Sequence, residues 1–120
     1  MAGKTVLVTG ASSGIGMAAA IRLASMGARV LPVGRSLSRT AEVSGIVGSE
    51  PLVADFASLA QVEHLADRVL ASCDQLDVLV LNAGAAFPRR ELTEDGYEAT
   101  FQVNHLAPFL LAMRLRELLE

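Results

Sequence analysis

The sequence predicts an α/β fold, a parallel sheet with helices on both faces, and three observations carry that reading. Short apolar runs recur at residues 4–9, 28–33, 51–54 and 76–81. Segments of helical composition and spacing separate them. The first run, Lys4-Thr5-Val6-Leu7-Val8-Thr9, is apolar and β-branched without alternation, as a strand buried on both faces requires. Strand and helix alternating in this way imply right-handed crossovers and a layer of helices on each side of the sheet.

Taken in order, the first strand is followed by a helix over residues 15–26, where Ala, Met, Leu and Ile fall at helical spacing. The second strand, residues 28–33, contains Pro32, which removes a ladder donor and so predicts a bulge or an early end to the strand. Residues 36–49 carry a helical pattern diluted by Ser, Thr and Gly. A third strand at 51–54, a helix over 59–71 and a fourth strand at 76–81 follow. The last helix is expected from Thr93 or Glu94 to the C-terminus. No repeat, low-complexity segment or linker interrupts the chain.

Between the first strand and first helix stands Thr9-Gly10-Ala11-Ser12-Ser13-Gly14-Ile15-Gly16. Gly10 lets the chain turn out of the strand, Gly14 leaves room for a phosphate against the backbone, and Gly16 lets the helix lie close on the sheet. The unpaired N–H groups of the first helical turn then face an anion. Glycines at this spacing also occur in ordinary tight turns; the strand before and the helix after make dinucleotide binding the stronger reading. The expected fold is therefore a Rossmann-type doubly wound sheet of about four strands in the order 3-2-1-4, one domain over residues 1–120.

Composition narrows the partners. The hydrophobic fraction is 52%, but no apolar run reaches the roughly 20 residues of a membrane span. The glycine turn interrupts the only early apolar stretch, so no signal peptide is expected. The single cysteine, Cys73, has no partner for an internal disulfide or at metal-ligand spacing, and His64 and His105 stand apart without convergent ligands, so no metal site is expected. A cytoplasmic location is the default. Net charge is −3, yet the residues up to Ala41 hold five basic side chains (Lys4, Arg22, Arg29, Arg35, Arg39) and no acid. Those cations are dispersed and lack interleaved aromatics, which argues against nucleic acid and for a small phosphorylated ligand.

With the glycine turn, Asp55, Asn82-Ala83-Gly84 and Val103-Asn104-His105 in register, the chain resembles the N-terminal portion of the short-chain dehydrogenase/reductase family from Gly3 to its end. The stretches Leu92-Thr93-Glu94-Asp95-Gly96-Tyr97-Glu98 and Phe101-Gln102-Val103-Asn104-His105-Leu106 resemble its retinol dehydrogenase and protochlorophyllide reductase-like branch. Leu81 departs from the family's usual Asn-Asn-Ala-Gly, and Ala107 and Pro108 stand where that branch often has Gly and His. The resemblance implies cofactor contacts by Gly10, Ser12, Ser13, Gly14, Ile15 and Gly16. It further implies an adenine contact at Asp55 with Phe56 beside it, ribose contacts at Asn82, Ala83 and Gly84, and a catalytic role for Asn104, which in the family bends its helix and holds a water of the proton relay. Asp55 also suits an Asx turn or a helix cap.

The choice of nicotinamide cofactor follows from charge. A carboxylate at the end of the second strand would bond the ribose 2′-hydroxyl of NAD and repel a 2′-phosphate. This chain has Gly34-Arg35-Ser36 there and no acid before Glu42. Arg35 offers paired N–H donors to a phosphate and Ser36 a hydroxyl, so NADP is expected.

Family members transfer hydride between the nicotinamide and a small-molecule carbonyl or alcohol, using a Ser and a Tyr-x-x-x-Lys pair. Tyr97 is the only tyrosine here, Phe101 stands four residues beyond it, Lys4 is the only lysine, and no serine follows Ser72. Tyr97 is therefore assigned to packing against the helix. The chain is expected to hold the cofactor-binding half of an oxidoreductase, inactive alone, with the fourth strand as a bare apolar edge open to aggregation or assembly. The C-terminal helix resembles the one that family members use for pairing. Two other readings remain: a non-catalytic nucleotide-binding or interaction module, and an S-adenosylmethionine methyltransferase, against which Arg35 stands where those enzymes place an acid.

Overall fold

Four parallel strands make one sheet in the order β3-β2-β1-β4. They are β1 (Thr5–Thr9), β2 (Arg29–Gly34), β3 (Leu52–Val53) and β4 (Val78–Val80), in a computed structural model that describes residues Met1–Glu120. Strand periodicity sends neighbouring side chains to opposite faces. Val6, Val8 and Val30 thus pack with Ala20 of α1 (Gly14–Ser25) and Val43 of α2 (Leu37–Val47). Leu7, Leu31 and Val33 meet Val62, Leu65 and Val69 of α3 (Leu59–Ser72) and, on the same face, Leu111 of α5 (Ala107–Arg114). Each fully buried Val or Leu contributes about 1.5–3 kcal/mol, so two cores of this kind pin the sheet from both sides. The doubly wound 3-2-1-4 order expected from the sequence is the order observed.

Pro32 sits inside β2 without a bulge, opposite Val8, and the strand runs on to Gly34, which corrects the expectation of a bulge or early end. The register explains why. Arg29 donates its N–H to Lys4 and Val33 accepts from Ala11, so odd-numbered residues of β2 face β1. The Pro32 nitrogen faces the β3 side instead, where pairing starts only at Val33 with Leu52. No ladder donor is lost.

The diluted pattern over residues 36–49 does hold a helix, α2. The Ser36 side chain caps its first turn, and Gly48 closes it at φ 78°. The last helix begins later than expected. Gly96, at φ 83°, closes a turn in which its N–H donates to Thr93 and the Thr93 N–H to Tyr97. Leu92 and Glu98 then bridge in antiparallel fashion, and α4 starts at Ala99 (Ala99–Phe101), capped by the Glu98 carboxylate. Tyr97 lies in that turn with half its surface exposed, and is not packed into the core. Beyond α4 the helix passes through a π-helical stretch, Gln102–Leu106, into α5 and the short α6 (Arg116–Leu119). Arg114 of α5 pairs with both Glu63 and Asp67 of α3. No helix is long and apolar enough to cross a membrane.

Candidate functional site

The carboxyl ends of the strands share one edge of the sheet, and a cavity of about 240 Å³ opens there. Residues from the turn after β1, the end of β2, the loop after β3 and the loop after β4 line it together. Crevices at this edge of a doubly wound sheet are where such folds bind ligands.

Its floor is the glycine turn. A Cβ on Gly16 would stand 2.0 Å from the Gly10 carbonyl oxygen, so only glycine lets α1 descend onto the end of β1. That descent brings the start of α1 to the cavity. Ser13 occupies the N-cap position, yet its side chain accepts no hydrogen bond from the helix. The N–H groups of Gly14, Ile15 and Gly16 find no acceptor in the protein. By contrast, Ser36 accepts from Arg39 N–H at the start of α2, and Ser58 from Gln61 N–H at the start of α3. Three unpaired amides and the positive end of a helix dipole make this an anion seat.

The second wall comes from β2. Gly34, Arg35, Ser36 and Arg39 all border the cavity. A Cβ on Gly34 would lie 2.2 Å from the Thr40 hydroxyl oxygen and 2.9 Å from Ser12 Cβ, so the glycine lets α2 close against the first turn. Arg35 and Arg39 are exposed, and neither guanidinium has an acidic or carbonyl partner in the protein. The Ser36 hydroxyl is already engaged as the cap of α2 and with Ser38. Arg39 also borders the cavity, which the sequence left among the general basic charge, although its place four residues beyond Arg35 was a usable signal.

Asp55 and Phe56 border the opposite side. Asp55 accepts from Ala57 N–H through one carboxylate oxygen, an Asx turn, and leaves the other without a protein partner. The cap of α3 is Ser58, so Asp55 is free of that task.

Ala83, Gly84 and Ala85 complete the lining after β4. Their course is set by two side chains. The Thr9 hydroxyl accepts from the N–H groups of Asn82 and Ala83, each at 3.0 Å, and donates to the Val80 carbonyl. Nothing in the sequence separates this buried threonine from any other β-branched strand residue. Asn104, in the π-helical stretch, accepts from Ala85 N–H at 2.8 Å and donates to Ala85 C=O at 2.6 Å. Asn82 instead reaches the glycine turn, its amide donating to Gly10 C=O at 3.3 Å. Of the residues singled out in the sequence, Gly10, Ser12, Ser13, Arg35, Ser36, Asp55, Phe56, Ala83 and Gly84 border the cavity directly. Gly14 and Ile15, on the first turn of α1 next to Ser13, are not among the lining residues; Gly16 and Asn82 pack against or bond Gly10, and Asn104 bonds Ala85, so these three act on the lining through their neighbours. Phe87 and Val103 add an apolar patch that carried no sequence signal.

A doubly wound sheet with an uncapped helix start at its carboxyl edge is the arrangement of the Rossmann-type α/β folds. The family model described as short chain dehydrogenase matches residues 4–120, and the chain belongs to that family of oxidoreductases. It is 52% identical, over 96% of its length and 42% of the relative's, to a Streptomyces sp. (strain C5) protein named "Putative daunorubicin C-13 ketoreductase DnrU". It is 40% identical to human retinol dehydrogenase 14, over 100% of this chain and 42% of that one. Among solved structures, the Pseudomonas aeruginosa RhlG/NADP active-site complex superposes with a TM-score of 0.83 at 32% identity, covering 98% of this chain and 47% of the other. The chain therefore spans less than half the length of the curated relatives it matches.

Proposed function

We propose that this chain binds NADP and that the whole protein is an oxidoreductase acting on a small-molecule carbonyl or alcohol. The observation that carries the reading is the pair of unpartnered guanidinium groups, Arg35 just after β2 and Arg39 in the first turn of α2, bordering the same cavity as Ser13, the residue before the unpaired amides of α1. A dinucleotide whose diphosphate lies on those amides directs its adenosine 2′-position towards the end of β2, where a phosphate meets two cations and no carboxylate. That the RhlG structure is an NADP complex supports the same choice.

The donor set suits the parts of the cofactor. The Gly14–Gly16 amides receive the diphosphate. The free oxygen of Asp55 is available to the adenine amino group, with the mostly buried Phe56 beside it, and the Ala83–Gly84 backbone to the ribose. Asn104 holds the loop after β4 by both of its amide atoms and so fixes the wall nearest the nicotinamide. The bound cofactor supplies or accepts the hydride; the residues of this chain bind, orient and enclose it. A cytoplasmic location belongs to the same reading, as does pairing through the C-terminal helix, where Phe101, His105 and Phe109 stack along an exposed face.

Titrating NADPH and NADH against the chain and its Arg35→Glu variant tests this. The parent should bind NADPH about tenfold or more tightly than NADH, the worth of one or two charge-assisted hydrogen bonds, and Arg35→Glu should abolish the preference. Equal affinities in the parent would refute it.

A second reading, a non-catalytic nucleotide-binding module, draws on one observation: the chain carries no Tyr-x-x-x-Lys pair, its sole tyrosine being followed at four residues by Phe101. Intact-mass measurement of the native protein, with a carbonyl-reduction assay, separates the two.

A further inference from the structure

Gln102 is the one large polar side chain among the fully buried residues, and it lies away from the cavity lining. Its bonds run in a single direction. Asp95 N–H donates to the Thr93 hydroxyl oxygen at 3.2 Å, which leaves the hydroxyl hydrogen for Gln102 Oε1 at 2.5 Å. With its oxygen so fixed, the Gln102 amide turns both N–H donors outward, one to Asp95 Oδ2 at 3.0 Å and one to the Phe56 carbonyl at 3.1 Å. Asp95 Oδ2 also accepts from Leu59 N–H at the start of α3. A reversed amide would set its oxygen against two acceptors, so the network admits one orientation.

The two ends of this arrangement reach the two walls of the groove. Phe56, whose carbonyl is bonded, forms part of the wall after β3. Two residues beyond Gln102 on the same π-helical stretch, Asn104 clasps Ala85 in the wall after β4. Because a buried donor cannot leave its acceptor without exposing both to an apolar surrounding, the rotation of the stretch and the position of the Phe56 peptide are set together.

We propose that Gln102, oriented by Thr93 and Asp95, is a positioning residue that couples the adenine-side wall to the nicotinamide-side wall. The inference rests on the reading of the groove as a dinucleotide site. It assigns a use to a polar group that the cofactor does not touch, and it explains why the turn before α4 is tied to the core by side chains.

The test combines NADPH titration with amide hydrogen exchange on the ligand-free chain, comparing the parent with Gln102→Leu. The variant should raise the Kd for NADPH about tenfold, and exchange should accelerate at both Ala57 and Ala85 while Ala11, bonded to the Val33 carbonyl, keeps its protection. Unchanged exchange, or acceleration at only one of Ala57 and Ala85, would overturn the coupling. So would equal acceleration at all three, which marks a general stabiliser. Should Gln102→Leu fail to fold, Thr93→Val removes only the orienting hydroxyl and should give the same pattern with a loss of about two- to fivefold. Failure of the parent to bind NADPH would sink the dinucleotide reading, while the exchange pattern would still decide the coupling.

Discussion

Arg35 and Arg39 face a cavity whose lining holds one carboxylate, that of Asp55 after β3, and none at the end of β2, and that asymmetry carries the cofactor choice. Replacing Arg39 with Ala should weaken NADPH by about three- to tenfold and leave NADH unchanged, because only a 2′-phosphate meets that side chain. Titration of both cofactors checks it. Gly16 makes a prediction of the opposite kind. A methyl there collides with the Gly10 carbonyl and the Asn82 amide, so Gly16→Ala should cost about 1–3 kcal/mol in denaturant unfolding and displace the anion seat with it. At this scale the sequence was informative wherever chemistry demanded a residue type. Glycines, Asp55 and Arg35 were legible for that reason. Thr9 and Gln102 were not, since a buried hydroxyl or amide acquires its meaning only from partners distant in the chain, Val80 and Asn82 for one, Phe56 for the other.

Among the elements, helix starts divide the molecule by function. Those of α2, α3 and α4 are closed by Ser36, Ser58 and Glu98, those of α5 and α6 lack side-chain caps within the C-terminal helical run, and among the helices that follow a strand of the sheet directly through a turn that of α1 is left open. Glu98 shows what closure does electrostatically. The N–H groups of Thr100, then Phe101, bond its carboxylate and hold its pKa below the ordinary range. A carboxyl depressed in the folded state binds fewer protons there than when unfolded, so its contribution is present above the unfolded pKa of about 4.3 and is lost as pH falls through the folded value. Thermal unfolding across the acid range should therefore show the parent losing ground to Glu98→Gln as pH falls, the two converging at the acid end. A constant difference at every pH would show that the charge is irrelevant. Helix boundaries were the least legible elements. The chain from Thr93 onward has helical composition, but Gly96 in a left-handed turn delays the helix until a capping carboxylate is available. Pro32 misled for a related reason: a proline's effect on a sheet depends on which neighbour its nitrogen faces, and that is fixed by register.

For the whole molecule, alternation of apolar runs with helical segments was enough for the parallel α/β class, and the glycine turn after the first strand pointed to the 3-2-1-4 order of a Rossmann-type sheet. The same order leaves β4 at the edge, where Val78 and Leu81 are exposed. An apolar edge strand invites pairing, so the chain should self-associate at high concentration, and Val78→Lys should reduce the associated fraction in light scattering. Phe109→Glu in the exposed aromatic stack probes the other face; loss of a dimer in that variant alone would assign pairing to the C-terminal helix.

The central claim is that the open start of α1 and the arginines after β2 hold one ligand between them. Backbone and side-chain nitrogen resonances of the labelled chain, followed while NADPH is added, test it most directly. The account predicts that the amides of Gly14, Ile15 and Gly16 move together with the Arg35 and Arg39 side chains, while those around Gly48 and Ser49 at the far end of the sheet stay in place. Binding that leaves the α1 amides unshifted, or no binding at all, would contradict it.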